Sequence, residues 1–371
     1  MWHFKVTKKI ARIFWCSYLL GLLVSVVYVN YFNLYGYPQE HKFFRFNSQY
    51  SASNYMYQTA RMVRSLADQA MVGKSKLILL VGDSKLRGHG TTAYHSVSAQ
   101  LEGYFSNDPS VAVLNLSRDG LNGITPYVIH EYILRFYPDT YLITKLDNYP
   151  RIKPSMEGLF TIYDIWATGK TSANIDLIDQ TDLKRGKEFK LIALANRYFG
   201  VIDFGQSFRY AVAQLLYTDA VRYKQISIFQ PIKTSKDFDA DYYWHLDNPN
   251  YTEVNIIAEV EYWQSFSSRA LDRIYLDEVF SKVPTAQWKK VILMTEMPVP
   301  YMRKRASLNG KSYKSAQDLF EGYYISKGAN LINGGIVLQD NIDYSDMVHW
   351  SKFGAKKMAK KIHDIYYEKY N

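Results

Sequence analysis

The chain contains one cysteine, Cys16, in 371 residues. A lone thiol can form no intrachain disulfide and cannot supply a four-cysteine zinc site. No acidic residue precedes Glu40, although Lys5, Lys8, Lys9 and Arg12 all do. No P-loop, His-Glu-x-x-His or dinucleotide fingerprint occurs, so the motif-based routes to nucleotide and zinc-hydrolase chemistry are closed. Charged residues make up only 22%, against 47% hydrophobic, which is a globular composition and not a disordered one. The formal net charge is +10. Four of those charges lie in the first twelve residues. The remaining +6 is scattered, suits an anionic surface or polymer, and accompanies no nucleic-acid motif. Aromatic residues are abundant at 16%, with 33 tyrosines, so broad surfaces are expected to carry amphipathic rings.

The first long apolar run is IFWCSYLLGLLVSVVYV, residues 13–29. It carries no charge and lies near the short end of the ~17–25 residues that cross a bilayer. Tyr28, Tyr31, Phe32 and Tyr35 follow as an interfacial aromatic belt would. The basic cluster in front of the run puts residues 1–12 in the cytoplasm, 13–29 in the membrane as a signal anchor, and 37–371 outside. A cleaved signal peptide is the alternative. Its cleavage site needs small residues, and Tyr-Val-Asn-Tyr-Phe-Asn stands there instead, which favours an uncleaved anchor. Cys16 sits inside the run and follows no lipobox, so it reads as a small apolar residue. The outer part then lacks cysteine altogether, as suits an envelope protein held by its core.

Beyond the anchor, short apolar runs alternate with helical spacing. A helix is expected near 53–71. KLILLV (76–81), VAVLNL (111–116), TYLIT (140–144) and KVILMT (290–295) read as strands. Helices are expected at 91–105, 126–136 and 351–367. This alternation predicts a three-layer α/β/α fold with a parallel central sheet, whose chemistry belongs at the carboxyl ends of the strands. Residues 151–285 interrupt the rhythm with helical stretches at 190–217 and 262–280 and an Asp- and aromatic-rich loop near 235–252. They read as a long helical insertion forming a cap or cleft wall, with a separate domain as the alternative.

Serine is a poor nucleophile unless a base takes its proton, and the base works best when a carboxylate orients it. Ser84 follows the first strand on a Gly82-Asp83-Ser84 turn leading into a helix. That position exposes its hydroxyl at the sheet edge and points a helix N-terminus at developing negative charge. The same residue type is also a common helix cap. Asp346 lies three residues before His349, a spacing that lets the two side chains meet. Alone, this reads more simply as a surface Asp–His pair.

In order along the chain, these blocks resemble the SGNH (GDSL-like) hydrolase family. Gly82-Asp83-Ser84 is similar to its first block, which implies Ser84 as nucleophile. Asn115-Leu116-Ser117-Arg118-Asp119-Gly120 is similar to the second, which implies the Gly120 amide in an oxyanion hole beside that of Ser84. Asp346-x-x-His349 is similar to the last, which implies His349 as base and Asp346 as its orienting acid. The blocks cover 77–150 and 288–367. The third block departs: the family usually has Gly-x-Asn-Asp where this chain has Lys145-Leu146-Asp147-Asn148. The oxyanion donor is assigned to Asn148, because the carboxylate of neighbouring Asp147 cannot donate.

Met297-Pro298-Val299-Pro300 and Asp-Met-Val-His-Trp resemble the envelope acyl-transfer members of that family, those of teichoic-acid D-alanylation and of polysaccharide O-acetylation. The resemblance implies a membrane-anchored extracytoplasmic serine esterase or O-acyltransferase that needs no metal or organic cofactor. Its partners would be an acylated envelope polysaccharide or teichoic-acid-like polymer and a membrane-bound O-acyltransferase. The rival class is a non-catalytic scaffold of the same fold serving such an acyltransferase.

Other groups read more plainly. His245 with Asp239, Asp241 and Asp247 reads as a polar aromatic loop and only secondarily as a cation site. His89 would line the pocket mouth, His95 a helix face, and Arg87 either an anionic substrate group or solvent. Lys352, Lys356, Lys357, Lys360 and Lys361 form a solvated face on the last helix.

Overall fold

The run KLILL forms β1, Lys76–Leu80, at the interior of a parallel sheet. Leu77, Ile78, Leu79 and Leu80 are each 0% exposed. A strand covered on both faces has to be apolar at every position, which is why this segment is continuous and does not alternate. Leu77 and Leu79 enter one core layer, Ile78 and Leu80 the other. The computed structural model describes residues 8–31, 58–88, 91, 95–118, 121, 123–145, 156–170, 183–206, 252–265, 283–295 and 297–370.

β2 (Val111–Asn115), β3 (Thr140–Lys145), β4 (Val291–Met294) and β5 (Asn330–Ile332) complete the sheet. The order is β2-β1-β3-β4-β5, and every pairing is parallel. The chain leaves β1 towards one edge, then returns across it to build β3, β4 and β5 on the other side. Such a reversal opens a crevice between the carboxyl ends of β1 and β3. Leu80 pairs with Asn115 on one side and Ile143 on the other, so β1, β2 and β3 end close to one level.

Helices cover both faces. Ahead of the sheet runs α1 (Lys8–Tyr31). One layer holds α2 (Ala60–Ala70), α5 (Thr125–Leu134), α6 (Met156–Ala167), α7 (Leu183–Phe199) and α10 (Lys311–Lys327). The other holds α3 (Ser84–Arg87), α4 (Val97–Tyr104), α8 (Glu253–Ser265), α9 (Pro300–Arg305) and α11 (Lys352–Tyr370). Met358, Ile362 and Tyr366 of α11 share that second core with Ile78 and Leu80 of β1.

The four expected strands are present. β5 was not anticipated: it has three residues at the sheet edge, and only Ile332 is fully buried, so no apolar run marks it. The helix expected over 91–105 begins at Val97, where Ser96 accepts from the Ala99 N–H. The one expected over 53–71 is α2, capped by Thr59. The stretch expected over 190–217 is α7, which starts earlier and breaks at Gly200, where φ is +63°. α8 likewise starts before the expected 262. Residues 207–217 and 266–280, and the 235–251 part of the Asp- and aromatic-rich loop, lie outside the described residues.

α1 has 24 residues, a length of about 36 Å against a hydrocarbon core of about 30 Å. Its Ala11–Tyr28 stretch is long and apolar enough for a membrane span or signal anchor. Phe14, Leu19, Leu20 and Leu23 lie open on its surface, whereas a core helix would bury them.

A buried polar network ties α2, α6 and α7 together. Asp203 accepts from the Thr59 hydroxyl at 2.6 Å and from Asn196 at 3.2 Å. Asp164 accepts from the Ala60 N–H at 2.7 Å and from the same Asn196 amide at 2.9 Å. Burial first, and the Asp203 charge second, push the Asp164 carboxyl up to about 7. The native state therefore holds a proton there that the unfolded chain releases near pH 4. Stability from this site is complete below about pH 4, falls as the pH rises towards about 7, and is flat above it. Asp164→Asn is expected to flatten the melting temperature against pH between 4.5 and 7.5. An unchanged slope in a thermal-melt series would place that proton elsewhere.

Candidate active site

Ser84 stands at the carboxyl end of β1, at the mouth of the crevice. Asp83 caps the turn, its side chain accepting from the Lys85 N–H at 3.1 Å. Across the crevice, the Ser84 hydroxyl lies 2.8 Å from His349 Nε2, joining residues 265 positions apart. His349 Nδ1 is 2.6 Å from Asp346 Oδ2. The other carboxylate oxygen accepts from the backbone N–H groups of Val348 at 2.8 Å and His349 at 2.6 Å. Burial acts to raise the Asp346 carboxyl. Its bonds to the His349 ring and to these N–H groups outweigh burial and hold it well below the usual carboxylate range. Asp346 is therefore ionised at any ordinary pH and fixes the imidazole with its Nε2 lone pair towards Ser84. That is the arrangement a serine needs to lose its proton to a base.

The base and its carboxylate sit on one closed loop. Tyr344 and Trp350 form an antiparallel bridge, and Ser345 N–H donates to the His349 carbonyl at 2.9 Å. The Val299 N–H donates to the Met347 carbonyl at 2.8 Å, fastening the loop to the Pro-Val-Pro segment after β4. Arg303, 7% exposed, donates to the carbonyls of Pro298, Gly335 and Leu338 and to the Tyr344 hydroxyl. Burial pushes the Tyr344 phenol up to about 12, so it stays a neutral donor, and it bonds the Met297 carbonyl at 3.2 Å. Where the loop enters α11, a Cβ on Gly354 would stand 2.1 Å from the Asp343 carbonyl oxygen, so only glycine fits.

The helix expected to point its dipole from Ser84 is a single turn. α3 ends at Arg87, because Gly88 adopts the left-handed conformation at φ +88° and folds its N–H back onto Ser84 and Lys85 carbonyls. One turn sums few peptide dipoles, so local N–H groups and not a long helix are the available donors.

The second block is drawn to the same place. Arg118 N–H donates to the Gly82 carbonyl at 2.8 Å, and the Asn115 side chain binds the Leu86 carbonyl at 2.9 Å and the Ser117 N–H at 2.9 Å. The loop after β2 is thereby held against the turn bearing Ser84. Gly120, Asp147 and Asn148 lie outside the described residues, as do His89, His245 and its neighbouring aspartates. Arg87 closes α3 and His95 precedes α4, both half-buried. Of the lysines on α11, Lys357 bonds Asp343 at 2.9 Å and Asp340 at 3.2 Å, so it braces the approach to the Asp346 loop. Lys360 pairs with Asp364 one turn on.

Two features were not anticipated. Lys145, the last residue of β3, buries its ammonium 2.7 Å from the Asp83 carboxylate, both side chains 5% exposed. It occupies the position of the glycine that the resembled third block would carry. The signal was a charge terminating a buried strand, opposite an acid in the turn after β1, but nothing in spacing joins residues 62 apart. The second is α8. Its Trp263 shares a small core with Met297, against which Val348 packs, and Lys85 places its ammonium 5.8 Å over the Trp263 ring. The neighbour of Ser84 thus touches this helix, and the neighbour of His349 packs on the same small core.

Removing one partner of a buried ion pair typically costs about 3–5 kcal/mol, because a charge is left in low dielectric. Lys145→Met is expected to destabilise by that order in chemical denaturation, with part recovered in the Lys145→Met/Asp83→Asn double variant. A loss below about 1 kcal/mol would mean that water reaches the pair.

In comparison with known proteins, no family pattern and no curated sequence matches this chain.

Proposed function

We propose that the chain is an SGNH-type serine esterase or O-acyltransferase, anchored in the membrane by α1 and acting on acyl esters of envelope polymers. The observation that carries this reading is the relay Ser84–His349–Asp346, with contacts of 2.8 and 2.6 Å built from opposite ends of the chain. A scaffold has no need to hold an ionised acid, an imidazole and a strand-end hydroxyl in line. The position of Ser84 at the crevice of a parallel sheet supports it further.

In the proposed reaction His349 Nε2 takes the Ser84 proton as Oγ attacks the acyl carbonyl. Asp346 stabilises the imidazolium without itself being protonated. The oxyanion forms against the Ser84 and Gly120 amides and the Asn148 side chain. Each such donor is worth about 10²–10³ in rate. Collapse expels the alcohol, which receives its proton from His349. A water or sugar hydroxyl then gives its proton to His349 as it attacks the acyl-serine; the acyl–Oγ bond breaks, Ser84 takes that proton back from His349, and the acid or the new ester leaves. The region between β3 and β4 serves as the cleft wall, with α8 as the part that reaches the site. Residues 1–12 face the cytoplasm and the sheet domain lies outside. The acyl donor is an acylated polysaccharide or teichoic-acid-like polymer, or a membrane-bound O-acyltransferase that hands its acyl group on.

A fluorophosphonate probe is expected to label the chain at Ser84, with labelling abolished in Ser84→Ala and slowed about 10²–10⁴-fold in Asp346→Asn. Undiminished labelling of Ser84→Ala, located by peptide mapping, would sink the assignment.

A further inference from the structure

α7 is apolar on two faces. Phe189 and Ala193 turn inward, against Phe160 and Tyr163 of α6. On the opposite side Leu191 and Tyr198 are each 70% exposed, with Ile192 and Phe199 beside them at 41% and 45%. Spacings of one, seven and eight residues put these four on one stripe of the helix. Val201 continues the stripe beyond Gly200 at 47% exposed. The rest of α7 carries Lys184, Arg185, Lys187, Lys190 and Arg197, with Glu188 one turn ahead of Leu191 and Ile192, and an exposed apolar stripe on so basic a helix suits a membrane surface and not a core.

The surroundings identify the occupant. α7 touches α1: the Ser25 hydroxyl donates to the Phe199 carbonyl at 3.0 Å, and the Tyr28 ring meets Phe204 edge-on at 5.5 Å. Ser25 lies three residues before the end of the Ala11–Tyr28 stretch, which is about 4.5 Å inside it along the helix axis. Amphipathic helices at membrane surfaces bury their apolar side to about 5–10 Å below the headgroups. The contact therefore sets Phe199, and the stripe leading to it, at the depth such helices adopt. Lys187 and Arg197, both exposed, flank the stripe, as basic residues do beside lipid phosphates.

We propose that the outward stripe of α7, Leu191, Ile192, Tyr198 and Phe199, lies in the outer interface of the same bilayer that α1 crosses, with lipid as its occupant. The domain then has two membrane attachments, one spanning and one lying flat. Two attachments fix its tilt, which a single helix followed by a linker cannot. This rests on α1 as a span, and is independent of the chemistry at Ser84.

The test uses full-length chain in vesicles of phosphatidylcholine and phosphatidylglycerol, containing no other protein. The native chain carries an environment-sensitive fluorophore on Cys16, and Cys16→Ser chains carry it at Leu191→Cys, Tyr198→Cys or Ile336→Cys. Ile336 is exposed and sits in a short helix that packs towards the other layer. Blue-shifted emission, quenched by lipids bearing a shallow nitroxide, is expected at 191 and 198 and not at 336. Emission at 191 and 198 as aqueous as at 336, with Cys16 quenched, overturns the proposal while leaving the anchor intact. Shielding of 191 and 198 that appears only after native membranes are added assigns the stripe to a protein and equally overturns it. An aqueous Cys16 removes the span and the proposal together. Fluorophosphonate labelling of Ser84 in the same samples reports separately on the site.

Discussion

The contact between the Ser84 hydroxyl and His349 is the constraint on which the arrangement turns. It links the first strand of the sheet to a loop 265 residues later. Neither side can be placed alone. The hydroxyl is put at the crevice because β1 is the strand at which the chain reverses direction across the sheet. The imidazole is put opposite it because α11 packs across the same core face as Ile78 and Leu80, bringing the loop ahead of it to the strand ends. The hydrophobic layer beneath β1 is thus also what sets the distance between Ser84 and His349. The contribution of burial to function here is geometric before it is energetic.

Much of this frame was legible in the order of residues, for definable reasons. β1 could be read because a strand buried on both sides leaves a continuous apolar word. The Asp346–His349 relation could be read because it spans three residues. What could not be read was short, peripheral or distant. β5 contributes three residues at an edge and only one fully buried side chain. Ser84 was expected to lead into a helix, yet the left-handed backbone of Gly88 ends α3 after one turn. The Lys145–Asp83 pair joins two strand ends whose proximity follows only from the strand order. The break in α7 follows from Gly200, whose positive φ interrupts a stretch that reads as one helix over 190–217.

The polar groups at the strand ends divide the work between fixing and reacting. Asp83 both caps the turn before Ser84 and holds the Lys145 ammonium, so the end of β3 is clamped to the end of β1 directly under the reactive hydroxyl. Arg303 and Tyr344 perform the corresponding task on the other wall, gathering carbonyls from two segments, 297–298 and 335–338, around the loop that carries His349. Removing a charge from such a site exposes its partner to low dielectric, which makes the surrounding geometry resistant to small adjustments. Ser84, Asp346 and His349 themselves remain half-buried.

The Tyr344–Trp350 bridge encloses Asp346 and His349 in a loop only five residues long. Acid and base consequently travel as one rigid piece. Any displacement of that hairpin, by a bound polymer or a docking protein, would withdraw both from the serine at once and leave their mutual bond unbroken. Such a withdrawn state would keep its imidazole oriented by Asp346 and need no proton rearrangement on return, so a sideways shift alone would make and break the contact with Ser84.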